Sequence, residues 1–459
     1  VLPLLLALAA CGEPSMPTEP PAPPALPGVP AGSRDWAWRD VLERPLPGEP
    51  GPAADLLALQ PAAARMDALA ALCDARDPRA ASTLMAALRD TQDAVAAEAA
   101  RLLGEHGHQR AIPRLLLGLG PFPVDYDVPP AVRCAEAAAL ARLGNPGGMD
   151  LILVVLAEGT PQAVPDAQLP FTRTDRVVYL QELALLGLSA LAGTDFGYVP
   201  GAPVPQRGAA LDAARAWWQE RRLALWAAAP ADDPGLQARA RLVVARLSAY
   251  QLRQIDGARF MLPRLGPGVL PLLEDGLRAP DTYARVHSLE ILERLADACD
   301  AKTRARLASL AAGPLLQDSP QVAAQAAATC GAAHVADQLI VALEQRSEPA
   351  VLVAILDALG RTGQPAARDS LRALAGSPRA AALTPDGRVA LLAARLASDP
   401  TCDPAPFLEC LASPDAELAH AALQRLIALT GDDFGLDPAA PPATRAPALD
   451  AARAALERR

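Results

Sequence analysis

The sequence predicts an all-α fold: an α-solenoid of about nine to ten stacked helical hairpins. Three observations predict it. First, one helix-turn-helix plan recurs from about residue 54 to the end of the 459-residue chain. Second, hydrophobic residues make up 51% but aromatics only 3%, and alanine alone supplies about a fifth. Such a composition suits closely packed helices and lacks the β-branched and aromatic residues that strands want. Third, a 31-residue module beginning at Leu191 returns at Leu429 with 17 identities and no gap. Repetition at this scale marks stacked supersecondary units, none of which buries its apolar face alone.

The elements follow in chain order. Residues 1–10 are mostly apolar and lead to Cys11. That is the length of a secretory apolar region and too short to cross a bilayer. Leu8-Ala9-Ala10-Cys11 resembles the lipobox of bacterial lipoproteins. The resemblance implies cleavage before Cys11 and lipidation of its thiol, although no basic segment or initiator Met precedes it. Residues 1–11 are therefore expected to be a signal peptide. Residues 12–53 are expected to be a tether. Glu13–Gly32 holds eight prolines in twenty residues, a composition that favours extended, semi-rigid chain. Trp36 and Trp38 are expected to dock the tether onto the first helices.

The helical body divides into a first block at 54–226 and a second at 227–459, with the break near Ala227–Pro234. Asp93–Gly104 pairs with Ala111–Leu119, Pro320–Cys330 with Val335–Leu343, and Pro349–Gly360 with Pro365–Leu374. Apolar residues recur at i, i+3, i+4 and i+7, the spacing of one buried helical stripe. Gly104 and Gly360 are expected at C-caps. Asp77-Pro78 and Ser319-Pro320 read as an N-cap followed by proline in the first turn. These units resemble HEAT-like repeats of the phycobilisome-lyase type over about residues 60–459. The resemblance is specific for fold and implies little about function.

In the duplicated module, Gly193 and Gly431 are expected to supply left-handed turns. Asp195 and Asp433 are expected to brace the connector, and Phe196 and Phe434 to plug the core. Asp432, Asp433 and Asp437 could suggest calcium, but the first copy keeps only Asp195 of that trio, too few oxygens for a shared site. Two long connectors carry the scarce aromatics: Phe122, Asp125, Tyr126 and Asp127 in the first, Phe171 and Arg173 in the second. Both join one hairpin to the next, so they share an edge of the array and are the candidate partner-binding ridge. Trp217, Trp218 and Trp226 are expected to pack at the block junction.

Other chemistry is sparse. Net charge is −10, which argues against nucleic acid. The single lysine, Lys302, reads as codon bias. The five histidines form no metal pattern, and His106-Gly-His108 reads as a solvated turn. The cysteines are expected to be free and buried, with Cys299 and Cys330 as the one pair worth testing. No nucleophile elbow, P-loop or dinucleotide motif occurs. The expected function is therefore an exported, lipid-anchored scaffold that binds a protein partner, without catalysis, metal or cofactor. It would face the periplasm, at the outer membrane rather than the inner because Gly12 follows Cys11. Two alternatives stay open. One is a lyase-like, isomerase-like or ligand-binding accessory protein of the phycobilisome-lyase type. The other is a cytoplasmic repeat adaptor.

Overall fold

The computed structural model describes residues 42–43, 45–120, 128–157, 173–248, 252–399 and 401–458. Among them every regular element is helical, and no helix is long and apolar enough to cross a membrane.

The first block holds α1 (Ala54–Leu57), α2 (Ala62–Asp74), α3 (Ala80–Ala87), α4 (Asp93–Glu105), α5 (Ile112–Gly118), α6 (Pro130–Arg142), α7 (Met149–Ala157), α8 (Arg173–Ala192) and α9 (Val204–Ala227). The first helices of its hairpins, α2, α4, α6 and α8, pack side by side in a row. Residues 234–457 add α10 (Pro234–Val244), α11 (Leu252–Arg264), α12 (Leu270–Leu277), α13 (Thr282–Ala296), α14 (Ala301–Gln317), α15 (Pro320–Ala332), α16 (Asp337–Gln345) and α17 (Pro349–Thr362). Then come α18 (Pro365–Ala375), α19 (Pro378–Ala381), α20 (Pro385–Ser398), α21 (Ala405–Ala412), α22 (Ala416–Thr430) and α23 (Ala446–Glu457). Their row of first helices is α11, α13, α15, α17, α20 and α22.

The second row does not stack on α9. Instead α10 and α11 pack back onto α5 and the turn Gln109–Ala111. One apolar core therefore runs from Leu69 through Leu143 and on to Leu236–Ala394. A second core, Ala131–Trp218, is a side branch made by α6 to α9. Helix α6 serves both: Ala135, Ala139 and Leu140 face the first core, Ala131, Cys134 and Ala137 the second. The described chain is thus forked at α5 and α6.

Alanine and glycine set the spacing within each row. A Cβ on Gly104 would meet the Cα of Ala139 at 2.9 Å, on Gly187 that of Ala138 at 2.9 Å, and on Gly360 that of Ala394 at 2.8 Å. Each contact joins a first helix to the next first helix. This corrects the expected C-caps. Gly104 and Gly360 lie inside α4 and α17, buried against the neighbouring helix. The left-handed residues after those helices are Gly107 (φ 70°) and Gly363 (φ 65°). The sequence signal was a conflict of two uses of glycine, and close approach won.

Start signals were partly displaced too. Ser319 sits at the N-cap of α15 with Pro320 next, but its hydroxyl makes no cap bond. Asp77 lies outside α3 and accepts from the Arg79 N–H at 2.8 Å. Side-chain caps are made by Asp233, Asp281, Asp300, Thr384 and Asp415.

Candidate functional site: the fork, the branch end and the repeated module

The described residues 42–43 and 45–53 cross the fork as a strap. Leu42 and Ala53, at its two ends, are buried in the body, while Pro47, Gly48, Gly51 and Pro52 between them are exposed. Four arginines hold the strap. Glu43 pairs with Arg89, just beyond α3, and with Arg114 of α5 at 2.6 Å. Glu49 accepts from Arg110 at 3.1 Å and from Arg239 of α10 at 2.8 Å. Arg239, wholly buried, also donates to the Leu42 carbonyl at 3.1 Å. The Ala53 N–H donates to Thr83 at 2.9 Å. Glu49 is a strained balance: burial would raise its carboxyl, but hydrogen bonds from Arg239 and the Leu46 N–H, with the charges of Arg239 and Arg110, hold it down at about 2.

This gives the arginine bias a physical use. Arg65 holds Asp90 through two donors and the Leu59 carbonyl through a third. Arg346 reaches the carbonyls of Leu316 and Asp318, and Arg425 reaches Asp357 and Asp386. A guanidinium's planar fork ties several acceptors at once, which a lysine ammonium does not reproduce.

The duplicated module has one local architecture in both copies. Gly193 and Gly431 are left-handed (φ 74° and 79°), as are Phe196 and Phe434 (φ 55° and 53°). Asp195 accepts from the Gly197 N–H and Asp433 from the Gly435 N–H, both at 2.9 Å. Arg207 donates to the Ala202 carbonyl and Arg445 to that of Ala440. Arg445 then reaches on to the carbonyls of Leu411 and Ser413. The extra carboxylates of the second copy serve the same backbone: Asp432 accepts from the Phe434 N–H and Asp437 from the Ala439 N–H. Phe196 and Phe434 are half-buried and pack against the core of their own module, and Tyr198 and Leu436, two positions on, go deeper, at 3% and 7% exposure. Phe196 also packs on Trp217, ring centroids 5.8 Å apart. The Tyr198 hydroxyl donates to the Leu156 carbonyl at 2.8 Å. Tyr198→Phe, read by urea unfolding, is expected to cost about 1 kcal/mol, because it leaves that carbonyl unpaired.

The end of the branch exposes apolar surface. Among the described residues, eight large apolar side chains are exposed, and Val154, Leu186, Val199 and Val204 of the branch are four of them. At the matching positions of the second copy stand Gln424, Asp437 and Pro442, against Leu186, Val199 and Val204. A shallow groove of about 530 Å³ lies between α7 and α9, lined by Leu153, Val154, Ala157 and Trp218 with Asp150, Arg215 and Gln219. Trp218 belongs to the branch core, and Trp226 lies against Gly266, where branch and second row meet.

Of the expected ridge, only the second connector adjoins this surface in sequence. Phe122, Asp125, Tyr126, Asp127 and Phe171 lie outside the described residues, as do Cys11, Trp36 and Trp38. Arg173 opens α8, and only its backbone is described. Helix α7 ends at Ala157, beside the groove, where the second connector begins. The fork was not legible beforehand: Arg239 and Glu49 are 190 positions apart, and no local period joins them.

The remaining reactive groups are quiet. Cys73, Cys299 and Cys330 are buried free thiols, raised by that burial to about 11, 11 and 12. Burial, with Arg110 and His106 adding to it, lowers His108 to about 4. Among the described residues no group of three or more His, Cys, Asp and Glu is placed to hold a metal.

The chain matches no protein-family model and no curated protein. Several solved helical structures align with it at low similarity. Human deoxyhypusine hydroxylase in complex with glycerol aligns at 18% identity and a TM-score of 0.21, over 79% of this chain and 96% of that one. Kap121p bound to Nup53p aligns at 12% and 0.35, over 88% of this chain but 44% of its own. An engineered protein aligns at 15% and 0.24, over 84% and 97%. At these distances no activity passes from those proteins to this chain, and its helical-repeat fold stands on its own hairpins.

Proposed function

We propose that the protein is a binding scaffold for a protein partner, held at a membrane by a lipid on Cys11 and facing the periplasm. The observation that carries the binding part is the branch end. Its hairpins expose Val154, Leu186, Val199 and Val204, and Val154 also lines the groove between α7 and α9, while the sister module has polar or proline residues at three of those places. Exposed apolar surface rimmed by polar side chains, as at the Val154 groove with its Asp150, Arg215 and Gln219, is a usual mark of a contact face. The aromatic and charged residues Phe122, Asp125, Tyr126, Asp127, Phe171 and Arg173 are proposed to extend it along the same edge. The lipid and tether would raise the effective concentration of the body toward membrane-proximal partners. In this reading the protein performs no chemistry, and binding is its whole activity.

Two measurements test it. Membrane fractionation of the full chain against Cys11→Ala should move the protein from the membrane to the soluble fraction; unchanged partition contradicts the anchor. Shortening both connectors, at 121–127 and 158–172, should abolish partner capture in cells and leave the urea midpoint nearly unchanged. Loss of folding contradicts the ridge.

A further inference from the structure

The strap is fastened at a place where one cation serves two buried anions. Arg114, 2% exposed, bonds Glu43 of the strap at 2.6 Å and Glu136 of α6 at 3.2 Å. Glu136 is wholly buried. Its Oε1 accepts from Arg114, but its Oε2 is buried and has no hydrogen-bond partner among the described residues. A Cβ on Gly118 would lie 1.9 Å from that oxygen, so the backbone of α5 closes over it. An ionised carboxylate in such a place has only half its charge answered.

We propose that docking of the strap across the fork is coupled to a proton on Glu136: the docked strap holds Glu136 neutral, and ionisation of Glu136 releases the strap. With Glu136 neutral, Arg114 belongs to Glu43. With Glu136 ionised, the two carboxylates compete for Arg114 and repel each other, and Arg89 is a second cation on Glu43. Lifting the strap resolves the conflict, since it removes Glu43 and leaves Arg114 to Glu136.

The surroundings set the direction. Burial raises Glu136 to about 7, against the pull of Arg114 and Arg133, and Glu43 adds to the rise. Arg89 acts on Glu43. Of the other helices packed on α6, α4 brings Asp93, Glu98, Arg101 and Glu105, the last three paired among themselves and with Arg142. Helix α7 brings Asp150 and α8 brings Tyr179 and Glu182. None of these is among the groups that shift Glu136. The docked value lies above the ordinary 4.5. Docking is therefore strongest below that value and is lost as pH rises through about 7. Glu49 sets the opposite limit: held down at about 2, its contribution is present above 4.5 and lost as pH falls below that.

The test is hydrogen exchange of the full chain, followed on peptides covering 42–53 from pH 5.5 to 8.5 and corrected for intrinsic rates, with α15 peptides as reference. Strap protection should fall across that range, by about tenfold for each unit by which docking itself raises Glu136. Glu136→Gln should hold protection flat. A flat wild-type profile, or the same fall in Glu136→Gln, overturns the proposal. Should Glu136→Gln fail to fold, Glu43→Gln decides: strap exchange that is fast at every pH supports the coupling, and an unaltered fall contradicts it. The proposal needs neither partner nor membrane, so its failure leaves the scaffold reading standing.

Discussion

Arg239→Ala is expected to cost about 3–5 kcal/mol and to split a shared urea transition into two. The magnitude follows from removing one member of a buried ion pair, which strands the other. Here the loss is compound. Arg239 is fully buried, and without it Glu49 loses two hydrogen bonds and the Leu42 carbonyl its donor. The splitting follows from position. Arg239 is the link through which α10, the first helix of the second row, grips a strap whose other carboxylate is held by Arg89 and Arg114 of the first block. Repeat arrays are stabilised mainly by nearest neighbours, so a weakened junction uncouples what lies on either side. Arg239→Lys should recover only part of the stability, because one ammonium cannot serve both Glu49 oxygens and the Leu42 carbonyl in that geometry. Urea unfolding followed by helical signal, with exchange protection of α11 and α4 compared, checks both claims.

The second large effect is expected at the helix contacts. Gly360→Leu should destabilise by about 3 kcal/mol or more, because overpacking a close contact displaces backbone and not a flexible side-chain end. The Cβ alone would stand 2.8 Å from the Cα of Ala394 and 3.1 Å from its Cβ. Even Gly360→Ala should be a net loss, although alanine gains about 1 kcal/mol of helix propensity over glycine. Gly208→Ala is the control. That glycine lies within α9 with nothing within 4 Å of an added Cβ, so the substitution should stabilise by about 0.5–1 kcal/mol. Opposite signs at two helical glycines would be hard to obtain from propensity alone.

These two sites also show what the sequence could and could not convey. Hairpins such as α4 with α5, α15 with α16 and α17 with α18 begin within about three residues of where periodicity puts them, because a buried helical stripe is a local pattern. The module was legible because it is written twice. Its glycines and aspartates do what their residue types suggest, since turn chemistry is also local. Phe196 and Phe434 pack against their cores as expected, but Tyr198 and Leu436, two positions on, are buried more deeply. Gly104 and Gly360 were misread as caps because glycine permits both a left-handed turn and a close contact, and only the neighbouring helix decides between them. The fork lay beyond reach. Glu43 and Glu49 sit in a proline-rich stretch with no periodicity, and their partners Arg114 and Arg239 are 71 and 190 residues away. The apolar branch end was not legible: Val154, Val199 and Val204 carry no local sign of exposure, and the scarce aromatics of the two connectors lie outside the described residues.

The central claim is that this chain binds a protein partner through the end of its first row. Its most direct test is in-cell crosslinking and affinity purification of the full chain beside a variant carrying Val154→Asp, Val199→Asp and Val204→Asp. All three positions are already exposed, so the helical signal and urea midpoint should stay near wild type. The account predicts a small, reproducible set of envelope proteins with the wild type and loss of that set with the variant. Recovery of the same proteins by both, or of the wild-type chain alone, would contradict it.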